Sequence, residues 1–416
     1  MLNTGDTAFM IICTAMVFIM TPGLAFFYGG LGRRKNVVNN MMASVFIMGL
    51  GIFLWVLIGW SLSFGGNTGG IIGSLDNIGL KGITMDDIFG GEEGTLPTYV
   101  FLAFQMMFAI ITPAIITGSV AGRMRFKALF IFIAFWSVVV YYPLAHMVWG
   151  DGGLLGSGWL NSVDFAGGNV VHISSGVTGL VLCILLKRRL NYETHEYRIH
   201  NIPFVVLGMG LLWFGWFGFN AGSSGAMDGL AAHAFLTTAV SSATAMLSWM
   251  CLDIIKSGKP TLIGACTGAV VGLVGITPGA GFVPIWSAFI IGALVSPICM
   301  FGVQLIKKKL KLDDALDAFG CHGIGGIFGG IMTGIFADVS INSGATPGLI
   351  FGETRQFFAQ ILAIIITIAV TVVGALICAG ITRIFTPLRV EKRDEQVGLD
   401  LTQHGETAYP SFTGLD

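Results

Sequence analysis

Long apolar runs alternate with short polar or turn-rich breaks along almost the whole chain. A helix needs about 20 apolar residues to cross a bilayer. Eleven runs are long enough, over residues 7–31, 40–64, 98–121, 126–149, 168–186, 201–220, 229–255, 260–277, 282–306, 315–336 and 354–385. The pattern predicts an all-α integral membrane protein, with one transmembrane domain over 1–386 and a polar C-terminal tail over 387–416. The first run is long enough to span, so it reads as a membrane helix and not as a cleavable leader. Glycines lie scattered through these runs. Small residues let membrane helices approach closely, so they point to tight packing and not to disorder.

Composition supports this picture. Of 416 residues, 54% are hydrophobic and 11% charged, against about 25% charged in a soluble domain. A net charge of −1 offers no field for nucleic acid. The seven cysteines fall in apolar runs without ligand spacing, and they read as small core residues. The basic residues decide direction. Twenty of the 22 lysines and arginines fall after odd-numbered spans, and only Lys81 and Arg355 lie on the other side. The positive-inside rule then places the N-terminus outside and the C-terminus in the cytoplasm. A wrong span count would scatter these charges. The longest outer break, 65–97, carries Asp76, Asp86, Asp87, Glu92 and Glu93.

Two histidines lie deep in apolar sequence with the same flank. DFAGGNVVHISSGVTG, from Asp164, and DALDAFGCHGIGGIFG, from Asp314, both match D-x7-H-x3-G-x2-G. His172 and His322 therefore occupy equivalent points of an internal repeat. The fifth span enters from outside and the tenth from inside. Each histidine lies about 12 Å along its helix from its aspartate, so both rings approach the middle of a core about 30 Å thick. Spans 1–5 and 6–10 form an inverted repeat, with the eleventh left over. Transport proteins use this arrangement with the path at the repeat interface. An ionisable group at membrane depth is costly and marks a site. A membrane histidine can also serve as a helix–helix hydrogen-bonding residue. Two imidazoles without a third ligand make a poor metal shell, so no metal and no cofactor are expected.

At these two motifs the chain resembles the ammonium transporter (Amt/MEP/Rh) family, on its prokaryotic Amt side. TPGLAFFYGGL followed by RRKN, FQMMFAIITPAIITG, HMVWG, GWFGFNAGS and the tail's VGLDLTQHGETAY extend the likeness over nearly the whole chain. The resemblance implies a homotrimer in the cell membrane with a pore through each subunit. It implies uptake of ammonium and its analogue methylammonium by a transporter, not an enzyme. It places His172 and His322 as the twin pore histidines. Trp149, Phe108 and Ser223 match the outer recruitment site, and Phe104 a further vestibule aromatic. Phe108 and Phe219 match the stacked gate, and Asp164 the aspartate that supports the recruitment site. It further implies that Val397–Tyr409 packs on the cytoplasmic loops and that a PII-type signal protein can block the inner pore mouths.

The chemistry of these residues agrees. Aromatic faces attract a cation, worth about 0.5–2 kcal/mol per contact, and the Ser223 hydroxyl can accept an N–H bond. An intact ion would be costly in an apolar lumen. The expected sequence is capture of the cation outside, loss of its proton near Phe108 and Phe219, and passage of ammonia past the histidines. Separate relay of the proton is an open branch. The structural alternatives are plain ones. Trp149 at a span end suits an interfacial belt, Phe104 and Phe108 at i, i+4 suit helix packing, and Asp164 suits an N-terminal cap. Asp313, Asp314 and Asp317 could cap the equivalent helix. His146, His195, His200, His233 and His404 are not expected in the pore. Rival functions are a gas channel without ion recruitment, an ammonium sensor signalling through its tail, and a membrane enzyme or metal protein. The cage residues oppose the first, the absence of a kinase or cyclase segment before Asp416 the second, and the lack of a catalytic carboxylate beside the histidines the third.

Overall fold

The computed structural model describes residues 2–91, 94–194 and 197–410; Glu92, Glu93 and His195 lie outside the described residues. Among the described residues eleven helices are long and apolar enough to cross a membrane: α1 (Thr4–Leu31), α2 (Arg34–Phe64), α3 (Thr98–Val120), α4 (Phe126–Gly158), α5 (Gly168–Leu186), α6 (Ile202–Ser224), α7 (Gly229–Ser257), α8 (Leu262–Gly279), α9 (Ile285–Lys309), α10 (Phe319–Phe336) and α11 (Arg355–Phe385). The bounds depart from the sequence reading at α2, α4, α6 and α10, with α6 running on to Ser224. Helix α2 begins at Arg34 because the polar Arg34–Asn36 turn runs straight into the regular helix at Val37. The regular part of α4 ends at Trp149, and a wide turn at Leu154–Gly158 prolongs it. Helix α10 starts at Phe319, not near residue 315, because the Asp314 carboxylate accepts the Phe319 and Gly320 N–H groups there. Between α2 and α3 the acidic loop adds a small ribbon, β1 (Ile88–Phe89) against β2 (Leu96–Pro97).

The packing repeats with the sequence. Helix α1 packs on α2 and α3 as α6 packs on α7 and α8; α3 meets α5 as α8 meets α10; and α1 meets α6. Helices α5 and α10 cross antiparallel. A Cβ built on Gly176 would lie 2.5 Å from Gly323 Cα, and one on Gly326 would lie 3.1 Å from Ile173. Under the repeat, 176 pairs with 326 and 173 with 323, so these are one contact seen from both sides of a pseudo-two-fold axis. Glycine is needed here because a side chain would separate the two helices. Six of the seven cysteines are buried, as expected of core residues, but Cys251 is exposed on α7.

The lysine- and arginine-rich face is closed by charge and by the tail. Asp313 accepts from Arg189 Nη2 at 2.6 Å and from its Nε at 2.8 Å, and Arg123 Nη2 donates to the Asp313 carbonyl at 2.6 Å. Burial alone would raise the Asp313 carboxyl, but the Arg189 bonds and the Arg123 charge outweigh it and hold the group below its ordinary value. Residues 387–410 fold back over this face. The Leu399 N–H donates to Asn36 Oδ1, Asp400 accepts the Asn39 N–H at 2.8 Å, and the Gln403 side chain accepts the Phe126 N–H.

Gly176→Ala should lower the midpoint of thermal unfolding in detergent, since overpacking costs about 1–3 kcal/mol. Gly210→Ala, with nothing within 4 Å of its Cβ position, should leave it unchanged or raise it. Equal effects would contradict the close approach. A second outcome concerns Asp313. Its depressed folded value means that its contribution is present above about pH 4 and is lost as pH falls through the folded value. The midpoints of the parent and Asp313→Asn, well separated at pH 7, should draw together as the pH falls below about 4. A constant gap would show that the Asp313 charge contributes nothing.

Candidate functional site

The sequence-predicted residues come together as one column of rings at the repeat interface. Its outer member is Trp149, at the end of the regular part of α4. Its indole N–H donates to the Asp164 carbonyl at 2.9 Å, which fixes the ring plane. Phe108 of α3 stands edge-on to Trp149 at 5.8 Å, and Phe104, one turn earlier, meets Phe108 at 5.0 Å. Phe219 of α6 stacks on Phe108 at 4.2 Å with 24° between planes. Ser223, one turn past Phe219, donates its hydroxyl to the Phe219 carbonyl at 2.9 Å. That spends its proton and leaves its oxygen lone pairs free to accept.

The column continues to the histidines. The His172 ring lies 6.2 Å from Phe219, nearly parallel, and 5.2 Å from His322. The two Nδ1 atoms are 3.2 Å apart. One must donate and the other accept, so this bond cannot persist with both Nδ1 atoms protonated. His172 Nε2 is buried with no protein partner among the described residues. Both histidines sit in wide i→i+5 turns that open their helices, Gly168–Ile173 and Phe319–Gly323. Such turns redirect side chains and recur at functional sites. Phe108 and Phe219 are 1% and 0% exposed, so the column is shut between Trp149 and the histidines.

A narrow void of about 10 Å³ adjoins the pair, lined by His172, His322, Phe219, Trp216 and apolar side chains including Leu24, Phe27, Ile111 and Val171. That is room for about one water-sized molecule. Trp216 was not singled out from the sequence. It stacks on His172 at 5.4 Å and 22°, and its indole N–H is occupied by Thr277 Oγ1 at 2.9 Å. Its place three residues before Phe219, on the same helix face, was the available signal.

Asp164 holds the outer part of the column from beneath. Its carboxylate accepts the Gly167, Gly168 and Asn169 N–H groups at 2.8, 2.6 and 2.7 Å and the Val170 N–H at 3.4 Å. Burial pushes its carboxyl above the ordinary value, and the four N–H bonds pull back toward the charged form. One residue thus caps the His172 helix through its side chain and orients Trp149 through its carbonyl. Asp314 does the equivalent for the His322 helix, and also accepts the Ser119 hydroxyl at 2.6 Å. Asp313 and Asp317 do not share this capping role: the first pairs with Arg189 and Arg123, and the second with Lys307 at 2.6 Å. The other histidines bond elsewhere. His146 meets the Ser63 carbonyl, His200 Tyr409, His233 the Val283 carbonyl and His404 Asn39. Among the described residues no group of three histidine, cysteine or carboxylate side chains could hold a metal.

Fold and column together define a multi-pass α-helical membrane protein with its polar site buried at an inverted-repeat interface. Residues 8–409 match the model of the Ammonium Transporter Family. An ammonium transporter of Bacillus subtilis is 46% identical over 409 residues, covering 98% of this chain and 99% of its own. A putative ammonium transporter of Methanothermobacter thermautotrophicus is 43% identical over 411 residues, covering 98% and 99%. The crystal structure of Saccharomyces cerevisiae Mep2 is similar with a TM-score of 0.87 and 34% identity, over 99% of this chain and 93% of that one. This chain belongs to the ammonium transporter family.

Asp164→Ala should destabilise the protein by several kcal/mol, because each buried N–H left unpaired costs about 1–3 kcal/mol. It should also free the Trp149 ring. Thermal unfolding and the intrinsic fluorescence of Trp149, read against a Trp149→Phe background, report the two effects. An unchanged midpoint would remove the cap from the account.

Proposed function

We propose that the protein takes up ammonium across the cell membrane, with its N-terminus outside and its tail in the cytoplasm. The orientation rests on the twenty basic residues that share one side. Trp149, Phe108 and the free lone pairs of Ser223 receive the cation, and Phe104 widens the aromatic wall. Asp164 supports this site without touching the ion. The stacked Phe108 and Phe219 close the way in, and their rings must part for passage.

The observation that carries this reading is the unbroken ring column from Trp149 through Phe108 and Phe219 to His172 and His322. Ring faces suit a small cation at the outer end. Beyond the phenylalanines the void is apolar apart from the imidazoles, and a bare ion there would lack the hydration it gave up. Ammonium can shed a proton and cross as ammonia, which potassium cannot. The Nδ1–Nδ1 bond forbids protons on both Nδ1 atoms at once, and the imidazoles give ammonia polar edges to pass. A proton handed between the rings would follow by a separate route. The same reading takes 1–386 as the transporting unit and methylammonium as an accepted analogue. It also takes a homotrimer as the working form and a PII-type protein as a partner at the cytoplasmic mouths. The last two rest on family membership.

Purified protein in liposomes on a supported membrane tests this. Ammonium and methylammonium pulses should give saturable currents, and potassium none. Trp149→Leu should raise the half-saturating methylammonium concentration about 2- to 30-fold, the span set by one cation–ring contact. His172→Ala with His322→Ala should admit a potassium current. Full potassium exclusion in that double variant would remove the histidines from selectivity, and absence of any ammonium current would rule out net charge movement.

A further inference from the structure

The segment between α4 and α5 carries the support of the outer end of the ring column, yet residues 161–164 have no regular secondary structure. Ser162, Val163 and Asp164 are buried, so their backbone polar groups need partners from outside any helix or strand. The Ser162 N–H donates to the Leu155 carbonyl, and the Phe165 N–H to the Pro278 carbonyl. At Val163 both backbone groups are taken by one side chain of a distant helix. Gln360 Oε1 accepts the Val163 N–H at 2.8 Å, and Gln360 Nε2 donates to the Val163 carbonyl at 2.8 Å. Gln360 lies on α11 and is 1% exposed.

That carboxamide is itself fixed. Gln356, one turn earlier, donates its Nε2 to Gln360 Oε1 at 3.3 Å. Gln356 Oε1 in turn accepts the Thr346 N–H and the Thr346 hydroxyl, each at 3.0 Å. A backbone N–H can only donate, so Thr346 sets which way Gln356 faces, and Gln356 sets Gln360. A chain of hydrogen bonds thus runs from the α10–α11 link to the residue before Asp164. Asp164 is the residue whose carbonyl holds the Trp149 indole and whose carboxylate caps the His172 helix.

The repeat supplies a separate observation. Residue 163 pairs with 313, and there the carbonyl accepts from Arg123 Nη2 at 2.6 Å. A guanidinium from the α3–α4 link does at one aspartate what a carboxamide from α11 does at the other. Helix α11 stands outside the inverted repeat, so the outer end of the column is set by an element that the repeat does not copy.

We infer that Gln360 is a positioning residue for the outer cation site. Its grip on both backbone groups of Val163 sets where the Asp164 carbonyl stands, and with it the plane of the Trp149 ring. Gln360 acts on that ring through Asp164. The inference rests on the reading of Trp149 as a cation-receiving ring, and the test separates the two.

The full chain in liposomes is measured for methylammonium uptake and for Trp149 emission, the latter as the difference from a matched Trp149→Phe protein. Gln360→Met keeps the length of the side chain and removes both bonds. It should raise the half-saturating methylammonium concentration about 2- to 5-fold, the span of an exposed cation–ring contact. The maximal rate per folded protein should stay at the parent value. The Trp149 emission and its quenching by acrylamide should shift. Gln360→Glu keeps the acceptor for the Val163 N–H, should show smaller shifts in the same direction, and carries the test if Gln360→Met fails to fold. Ala363→Gly is the control for a structural role alone, since it loosens the same helix and leaves the carboxamide in place. It should lower the midpoint of thermal unfolding with half-saturation and Trp149 emission unchanged. A parent-like Trp149 emission in the Gln360 variants overturns the inference, and so does an equal shift in Ala363→Gly. A shifted emission with parent-like half-saturation keeps Gln360 as the support of the ring and removes the ring from cation capture. Absence of uptake in the parent fails the transport reading, and the Trp149 emission then decides the role of Gln360.

Discussion

A bilayer offers no water to backbone or side-chain polar groups, and the site depends on how that need is met at two aspartates. Asp164 and Asp314 each stand where a membrane helix begins, and each carboxylate accepts the otherwise unpaired N–H groups of that first turn. The capped helices start with wide turns, and each wide turn presents one histidine. The carbonyl of Asp164 also holds the Trp149 indole. Cap, histidine and outer aromatic are therefore placed by one short segment. Its inverted copy places the second histidine and, through Ser119, fastens it to α3.

Close approach of α5 and α10 follows from the same geometry. The histidines meet only because Gly176 lies on Gly323 and Gly326 on Ile173. Without a hydrophobic drive between helices in lipid, such contacts rely on backbone proximity and on hydrogen bonds. The Nδ1–Nδ1 bond at 3.2 Å is one of them. The plain structural role of the histidines, bonding helix to helix, is thus present in the same atoms as the proposed transport role. The two readings are not rivals: a pair that bonds across the interface is also held square to the void it lines.

What was legible in the sequence and what was not divides along a physical line. Span number and repeat were legible because apolar length, basic-residue side and the shared D-x7-H-x3-G-x2-G spacing are local or periodic signals. The members of the ring column and their order, including the stacking of Phe108 on Phe219 that joins α3 to α6, were expected from the family resemblance and not from apolar pattern or spacing. Trp216 was overlooked because an aromatic in an apolar helix reads as packing until its stacking on His172 is seen. Asp313, Asp314 and Asp317 looked alike at the start of α10. Tertiary partners far away in sequence separate them: Ser119 for one, Arg189 and Arg123 for another, Lys307 for the third.

The two ends of the ring column solve different problems. At one end Trp149 is partly exposed to solvent, and under the proposed function a cation arriving there keeps part of its water. At the histidines the space holds about one small molecule and the surrounding side chains are apolar. Under the proposed function a charge accepted at the first place is costly at the second, and the fully buried Phe108 and Phe219 mark the boundary between them. Selectivity on this view does not need a snug cage for ammonium. It needs a boundary that a proton donor can cross by giving up its proton, and histidines fixed well enough that water does not replace the rings.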